Sequence, residues 1–311
     1  MYHSPQNSSG TCPVARSQVV RLLFLPIVLA ACSTAPLTQR QQIIFTNERQ
    51  ELELGEIEYQ KLLDDLVLNH DPEANRIVNT VGQRLARAAG KTNYLWEFVV
   101  VDNPEIAHAW VLPGGKIAVY TGLFPVVRDE NGLAIILAHQ VAHALARHQG
   151  EKTTRDVLLE LAGMGAMFAP PLVRQAYSLG ANAGLIFPFG EVQEAEADQL
   201  GLILAAKAGY DPRVAVEVWQ RLNQAAAQNF LSTDFILAHP NYGQRRQNLE
   251  KGMPEALAYF DETTAPPPEK LPTLESLERP PVELPDSLPE QWEIADPQLP
   301  SAKSGWGVLR E

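Results

Sequence analysis

The fourteen residues from Leu133 to Ala146, LAIILAHQVAHALA, are apolar except at His139, Gln140 and His143. The run carries a helical period, so its two histidines, four apart, stack on one helix face where both can reach a single ion. That is zinc-binding geometry. In zinc peptidases the residue after the first histidine is a glutamate, which takes a proton from the attacking water. Here it is Gln140, which has no group basic enough to do so.

Two histidines are half of a zinc site, and a third ligand is expected further along. Glu194-Ala195-Glu196-Ala197-Asp198 opens a later helix. Glu194 and Asp198 share a face, whereas Glu196 points roughly 160° away at about 100° per residue. Glu194 is therefore the expected third ligand. Asp198, one turn on, is expected to accept the free N–H of a ligating histidine. Glu196 is expected to face solvent or an arginine. His148, read as lying on a continuation of the same helix, points away from the ligand face and is expected to be structural.

The rest of the chain frames this site. From Gln41 to about Ala89 the apolar spacing is helical, with Asp71-Pro72 marking a second helix start. The period then changes to β-rich runs at 96–102 and 108–122, the latter split by Pro113-Gly114-Gly115 as a hairpin or kinked edge strand. Helical spacing returns after Asn131 and continues to about Tyr259. Its expected breaks are Pro170-Pro171, the Phe187–Gly190 loop and Gly209–Pro212. The apolar segment 157–189 is expected to be buried helix, since Pro170-Pro171 cuts it below spanning length.

Composition restricts the function classes. The net charge of the 311 residues is −12, which argues against nucleic-acid binding. Residues 261–311 hold eleven acidic against four basic residues and ten of the 24 prolines. That segment is expected to be an acidic, disordered or extended tail, with Trp292 and Trp306 as short docking points for a partner. At the other end, Arg16 and Arg21 flank a short apolar run that ends in Leu29-Ala30-Ala31-Cys32. This resembles a bacterial lipoprotein signal, with Cys32 as the lipidated first residue of the mature chain. Ser33, by resemblance to enteric lipoproteins, favours the outer membrane. Loss of Cys12 with the signal and acylation of Cys32 would leave no disulfide.

HQVAH, the EAEAD segment about fifty residues later, LPGGKIAVYTGL before them and His239-Pro240-Asn241-Tyr242-Gly243-Gln244-Arg245 after them together resemble metallopeptidase family forty-eight. This family includes the CAAX prenyl proteases and, as the members most like this chain, periplasmic lipoprotein proteases of envelope quality control. The resemblance covers about residues 45–260. It implies a gluzincin fold in which an active-site helix lies under a small sheet and a helical subdomain supplies the glutamate. On its pattern His139, His143 and Glu194 bind zinc, and the family aspartate falls on Asp198. His239, near the metal by resemblance, is expected to steady an oxyanion or act as a fourth ligand, against an exposed loop position. Three positions depart from the pattern: Gln140, His108-Ala109-Trp110-Val111 before the turn, and Glu191 in place of an arginine. Recruitment of Glu191 as a base would require it to reach the water from the other subdomain.

The expected protein is α+β, a mainly helical zincin domain with a small sheet. Its expected divisions are a lipoprotein signal peptide at 1–31, a lipid-anchored tether at 32–45, the zinc peptidase-like domain at 46–260 and the tail at 261–311. It is expected to bind one zinc ion and to lie in the periplasm, held to the membrane through Cys32. Its expected activity is a metalloendopeptidase acting on unfolded or misassembled envelope proteins, with turnover impaired by Gln140. The alternative is a pseudopeptidase that holds client polypeptides in the same groove; an adaptor working through the tail is a third reading. Extended peptide is expected to bind along Leu112, Pro113, Gly114, Gly115, Lys116 and Ile117, by backbone hydrogen bonds to an edge strand.

Overall fold

The computed structural model describes residues 32–36, 38–167, 187–227, 242–263 and 265–277. The expected signal peptide, His239, Pro170-Pro171, Trp292 and Trp306 lie outside them. Residues expected to form a tether are paired instead. Strands β1 (Cys32–Thr34) and β2 (Gln41–Ile43) form an antiparallel hairpin with Cys32 opposite Ile43. Polar side chains with no apolar period read as linker, yet Gln42 is buried and donates to the Ala146 carbonyl at 2.7 Å. A tertiary partner about a hundred residues away makes the hairpin part of the fold.

Asn47 starts the helical part of the chain with a capping box. Its side chain accepts from the Gln50 amide at 2.9 Å, and the Gln50 side chain accepts from the Asn47 amide at 3.0 Å, opening α1 (Glu48–Asp65). Asp71 caps α2 (Pro72–Ala89), and Gly90 ends it in the left-handed region. A three-stranded sheet follows, built from β3 (Glu97–Val101), β4 (Ala109–Leu112) and β5 (Lys116–Tyr120) in the order β3–β5–β4. β5 is parallel to β3 and antiparallel to β4. Gly114 and Gly115 form the β4–β5 turn with φ of 89° and 85°, and a Cβ on Gly115 would fall 2.4 Å from the Trp96 ring.

The strand order corrects the expected peptide-binding edge. Lys116 and Ile117 lie on the central strand, paired on both sides and buried, with the Lys116 ammonium 3.0 Å from Glu56 and also paired with Glu97. A peptide cannot add to a strand whose ladder positions are already used. Leu112 belongs to β4, which is an edge of this sheet and packs against the central helix. Alternation and turn chemistry identify strands, but which strand is the edge depends on the parallel β3–β5 pairing.

Eight further elements complete the described fold, six of them α-helices: α3 (Phe124–Val127), α4 (Glu130–Leu145), α5 (His148–Met167), α6 (Phe187–Lys207), α7 (Ala215–Ala227) and α8 (Tyr242–Leu257), with 3₁₀ turns at Thr121–Leu123 before α3 and Pro212–Val214 before α7. The FPFG segment, expected to be a loop, is the first turn of α6. α4 is the centre of the core, buried on every face and packed against α2, α6 and β4. Asp129 caps it by accepting from the Gly132 amide at 2.9 Å. Of the segment expected to be buried helix, Val157, Leu158, Leu161 and Met164 on α5 are exposed. Among the described residues no helix is long and apolar enough to cross a membrane.

The folded part also extends past the expected tail boundary. The Leu271 amide donates to the Arg128 carbonyl at 3.0 Å and the Glu130 amide to the Glu269 carbonyl at 2.9 Å, while Leu271 and Leu277 are buried. Prolines bar these residues from helix, yet an extended strip can still satisfy free amides at a helix start.

Candidate metal centre

α4 and α6 cross closely enough to bring the two halves of the site together. The crossing depends on Gly201, where a Cβ would lie 3.1 Å from the His139 backbone nitrogen and 3.2 Å from its Cα. A Gly201→Val substitution is expected to push the helices apart and cost about 1–3 kcal/mol of stability, read as a lower midpoint in chemical denaturation.

At this crossing His139, His143 and Glu194 each offer one ligand atom, all within 4.8 Å of one another. The two Nε2 atoms are 2.9 Å apart. Glu194 Oε2 lies 3.5 Å from His139 Nε2, and its Oε1 lies 3.4 Å from His143 Nε2. Burial, with a smaller contribution from the neighbouring histidines set against Glu194, holds the His143 imidazole well below its ordinary pKa. The ring is therefore neutral and has a lone pair to give.

The surrounding groups set the direction of those lone pairs. Asp198 Oδ1 is 3.2 Å from His139 Nδ1. A carboxylate only accepts, so a His139 that ligates through Nε2 would direct its Nδ1 proton to this oxygen; Arg245 Nη2 lies 3.2 Å from the same Nδ1 and 3.4 Å from Nε2. Arg245 is buried against both acidic groups, with Nη1 2.6 Å from Glu194 Oε2 and Nη2 2.5 Å from Asp198 Oδ1. Its guanidinium also lies 3.5 Å from the centroid of the Trp219 ring, and Trp219 packs edge-on to His139. Arg245 thus grips one oxygen of Glu194 and leaves the other facing His143. Two imidazole nitrogens and a carboxylate oxygen, converging with bare lone pairs, are the donor set that zinc takes with a fourth position open, so the residues present fit this ion.

His148 lies elsewhere than the sequence suggested, and Glu196, of its two expected surroundings, meets the arginine rather than solvent. His148 Nδ1 is 2.8 Å from His143 Nδ1, and its Nε2 is 3.1 Å from Glu196 Oε2. Continuous helical spacing failed here because α4 ends at Leu145, with Ala146 as its cap, and Arg147 takes a positive φ of 55°. That conformation is uncommon for a residue with a side chain, and here the arginine is held by Glu51 at 2.7 Å and the Thr46 carbonyl at 2.9 Å. The turn swings His148 back onto His143. Glu196 is buried, not solvated; the expected arginine is Arg40 of the hairpin, at 2.8 Å. Burial opposes its ionisation, but hydrogen bonds from His148, Thr38 and Arg40 hold its carboxyl below the usual range.

Gln140 is buried beside His139 on α4, and Glu191 is exposed on α6. Arg245, His148, Arg40 and Trp219 are the participants that sequence reasoning left without a role. Only Arg245 carried a signal, as the last residue of the His239–Arg245 motif.

Comparison with known proteins agrees with this geometry. Residues 72–252, more than half of the chain, match the model of peptidase family M48. The chain belongs to that family. A fission-yeast (Schizosaccharomyces pombe) mitochondrial metalloendopeptidase OMA1 is 35% identical over 179 residues, 58% of this chain and 53% of the relative. Its budding-yeast (Saccharomyces cerevisiae) counterpart is 26% identical over 266 residues, 77% of this chain and 76% of the relative. The beta-barrel assembly-enhancing protease of Escherichia coli K12 is 27% identical over 201 residues, 61% of this chain and 41% of the relative. The chain thus spans about half the length of the fission-yeast relative and less of the bacterial one.

These relatives correct two expectations. The M48 assignment stands, but likeness to the bacterial envelope proteases is only one part of it, since the fission-yeast OMA1 is 35% identical against 27% for the bacterial protease. The expected periplasmic, outer-membrane location is overturned, because the OMA1 relatives are named as mitochondrial.

Proposed function

We propose that this M48 chain is a zinc metalloendopeptidase-type protein that takes unfolded polypeptide along β4, with turnover limited by Gln140. The convergence of His139, His143 and Glu194 under the control of Asp198 and Arg245 carries the reading. Bound zinc supplies Lewis acidity, polarising a carbonyl and acidifying a water. The chain supplies the rest. His139, His143 and Glu194 would hold the ion, Asp198 would orient His139, and Arg245 pairs with Glu194 in a buried setting. β4 offers backbone hydrogen bonds, which bind extended chain with little sequence preference. Gln140 can hydrogen-bond a water and orient it, but an amide takes no proton at neutral pH. His239 is the candidate to steady an oxyanion or close the fourth position. A pseudopeptidase that binds clients without cutting them is the second reading, and Gln140 favours it.

Metal analysis of the purified chain is expected to find one zinc per molecule. Incubation with unfolded casein is expected to give slow fragmentation that a chelator stops. Zinc with casein binding but no fragments would move the conclusion to the pseudopeptidase. A chain that takes up no zinc would overturn both.

A further inference from the structure

Each ligating histidine needs its Nδ1 proton anchored, and the two are served differently. His139 faces a carboxylate directly through Asp198, whereas His143 faces a second imidazole, His148, at 2.8 Å between Nδ1 atoms. The rings meet edge to face, their centroids 4.8 Å apart. If His143 gives Nε2 to the metal, its proton sits on Nδ1 and His148 Nδ1 is the atom placed to accept it. Glu196 only accepts, so His148 carries its proton on Nε2, 3.1 Å from the carboxylate. With that proton on Nε2, His148 Nδ1 has a lone pair directed at His143 Nδ1, 2.8 Å away. His143 is left bare at Nε2, the atom that faces Glu194 and His139.

The far end of the relay is held by the N-terminal hairpin. Arg40 donates from Nε to Glu196 at 2.9 Å and approaches the same oxygen with Nη2 at 2.8 Å. Nη1 and Nη2 also reach Glu151 of α5 at 2.8 Å each. Thr38 adds a hydroxyl to Glu196, and Gln193 adds its amide to Glu151 at 2.8 Å. Arg40 therefore joins α5, which carries His148, to α6, which carries Glu196. A planar guanidinium can hold two carboxylates in this way and a lysine cannot. Arg40 and Thr38 both precede residue 72, where the match to the family model begins.

We propose that His148 and Glu196, clamped by Arg40 of the hairpin, are positioning residues that set the tautomer and orientation of His143, making the hairpin a working part of the metal site. The proposal rests on the zinc reading above. Partners of this kind around a metal-bound histidine are worth about 10–100-fold in metal affinity.

The test uses the full chain, with zinc affinity measured by competition against a chromophoric chelator. The ligand-field absorption spectrum of the cobalt-substituted protein is the second readout. His148→Leu, which removes the acceptor, and Arg40→Ala, which releases Glu196, are each expected to weaken zinc binding about 10–100-fold and to alter the cobalt spectrum. His148→Asn, whose carbonyl can still accept from His143, is expected to recover part of the affinity. Arg40→Lys is expected to remain impaired. Thermal unfolding of the metal-free variants separates loss of fold from loss of positioning, and His148→Asn keeps the test decisive if His148→Leu fails to fold. Variants that bind zinc as the wild type does, with an unchanged cobalt spectrum, would overturn the relay and leave the zinc reading standing. A wild type that binds no zinc would overturn the zinc reading itself, and the relay with it.

Discussion

Replacing Gln140 by glutamate is expected to raise peptide hydrolysis by about 10²–10⁴-fold, the usual worth of general acid–base assistance. Gln140 is buried on α4 next to His139, and glutamate is nearly the same size, so the exchange changes chemistry more than packing. The carboxylate adds a base that can take the proton of the attacking water and return it to the departing amine. Zinc content should stay at the wild-type level, because no ligand is altered. The measurement is casein cleavage by Gln140→Glu and wild type at matched zinc loading, with chelator controls. Equal rates would show that the wild type already has a base, and the limitation assigned to Gln140 would fall.

Loss of Arg245 should be the most damaging single change to the fold around the site. Its guanidinium is 2% exposed and lies against Glu194, Asp198 and the Trp219 ring. Removing one partner of a buried ion pair costs about 3–5 kcal/mol, because the remaining charge stays buried without its counter-charge. Arg245→Leu leaves two acidic groups in that condition. The metal-free variant is therefore expected to unfold at much lower denaturant concentration than the wild type. Saturating zinc should recover part of the difference, since a divalent cation at His139, His143 and Glu194 restores positive charge beside the same carboxylates. Denaturation midpoints with and without zinc test both points. A variant as stable as the wild type would mean that Glu194 and Asp198 are compensated by other groups.

The readable and unreadable parts of this protein divide along the range of the interactions involved. The helix around HQVAH, the capped start at Asp71-Pro72 and the glycine turn between β4 and β5 are local, set by period, caps and backbone freedom within a few residues. The placement of Glu194 and Asp198 on one face follows from the same short-range geometry. The failures share one cause. His148 was placed by extending a helix past Ala146, but the helix stops where Arg147 adopts a positive φ held by Glu51, nearly a hundred residues earlier. Gln42 and Arg40 carry no pattern of their own and gain meaning only from Ala146, Glu151 and Glu196. Likewise, whether Lys116 and Ile117 lie at an edge was decided by β3 pairing with β5.

By itself the sequence singled out the candidate donors His139, His143 and Glu194, and glutamine at position 140, because ligand spacing on a helix is a property of 3.6 residues per turn. Only the tertiary structure decided what surrounds those donors: Arg245 between two carboxylates, and a histidine relay fastened by an N-terminal hairpin. Buried charges must find partners wherever the fold brings them, and no local rule in the chain records where that will be.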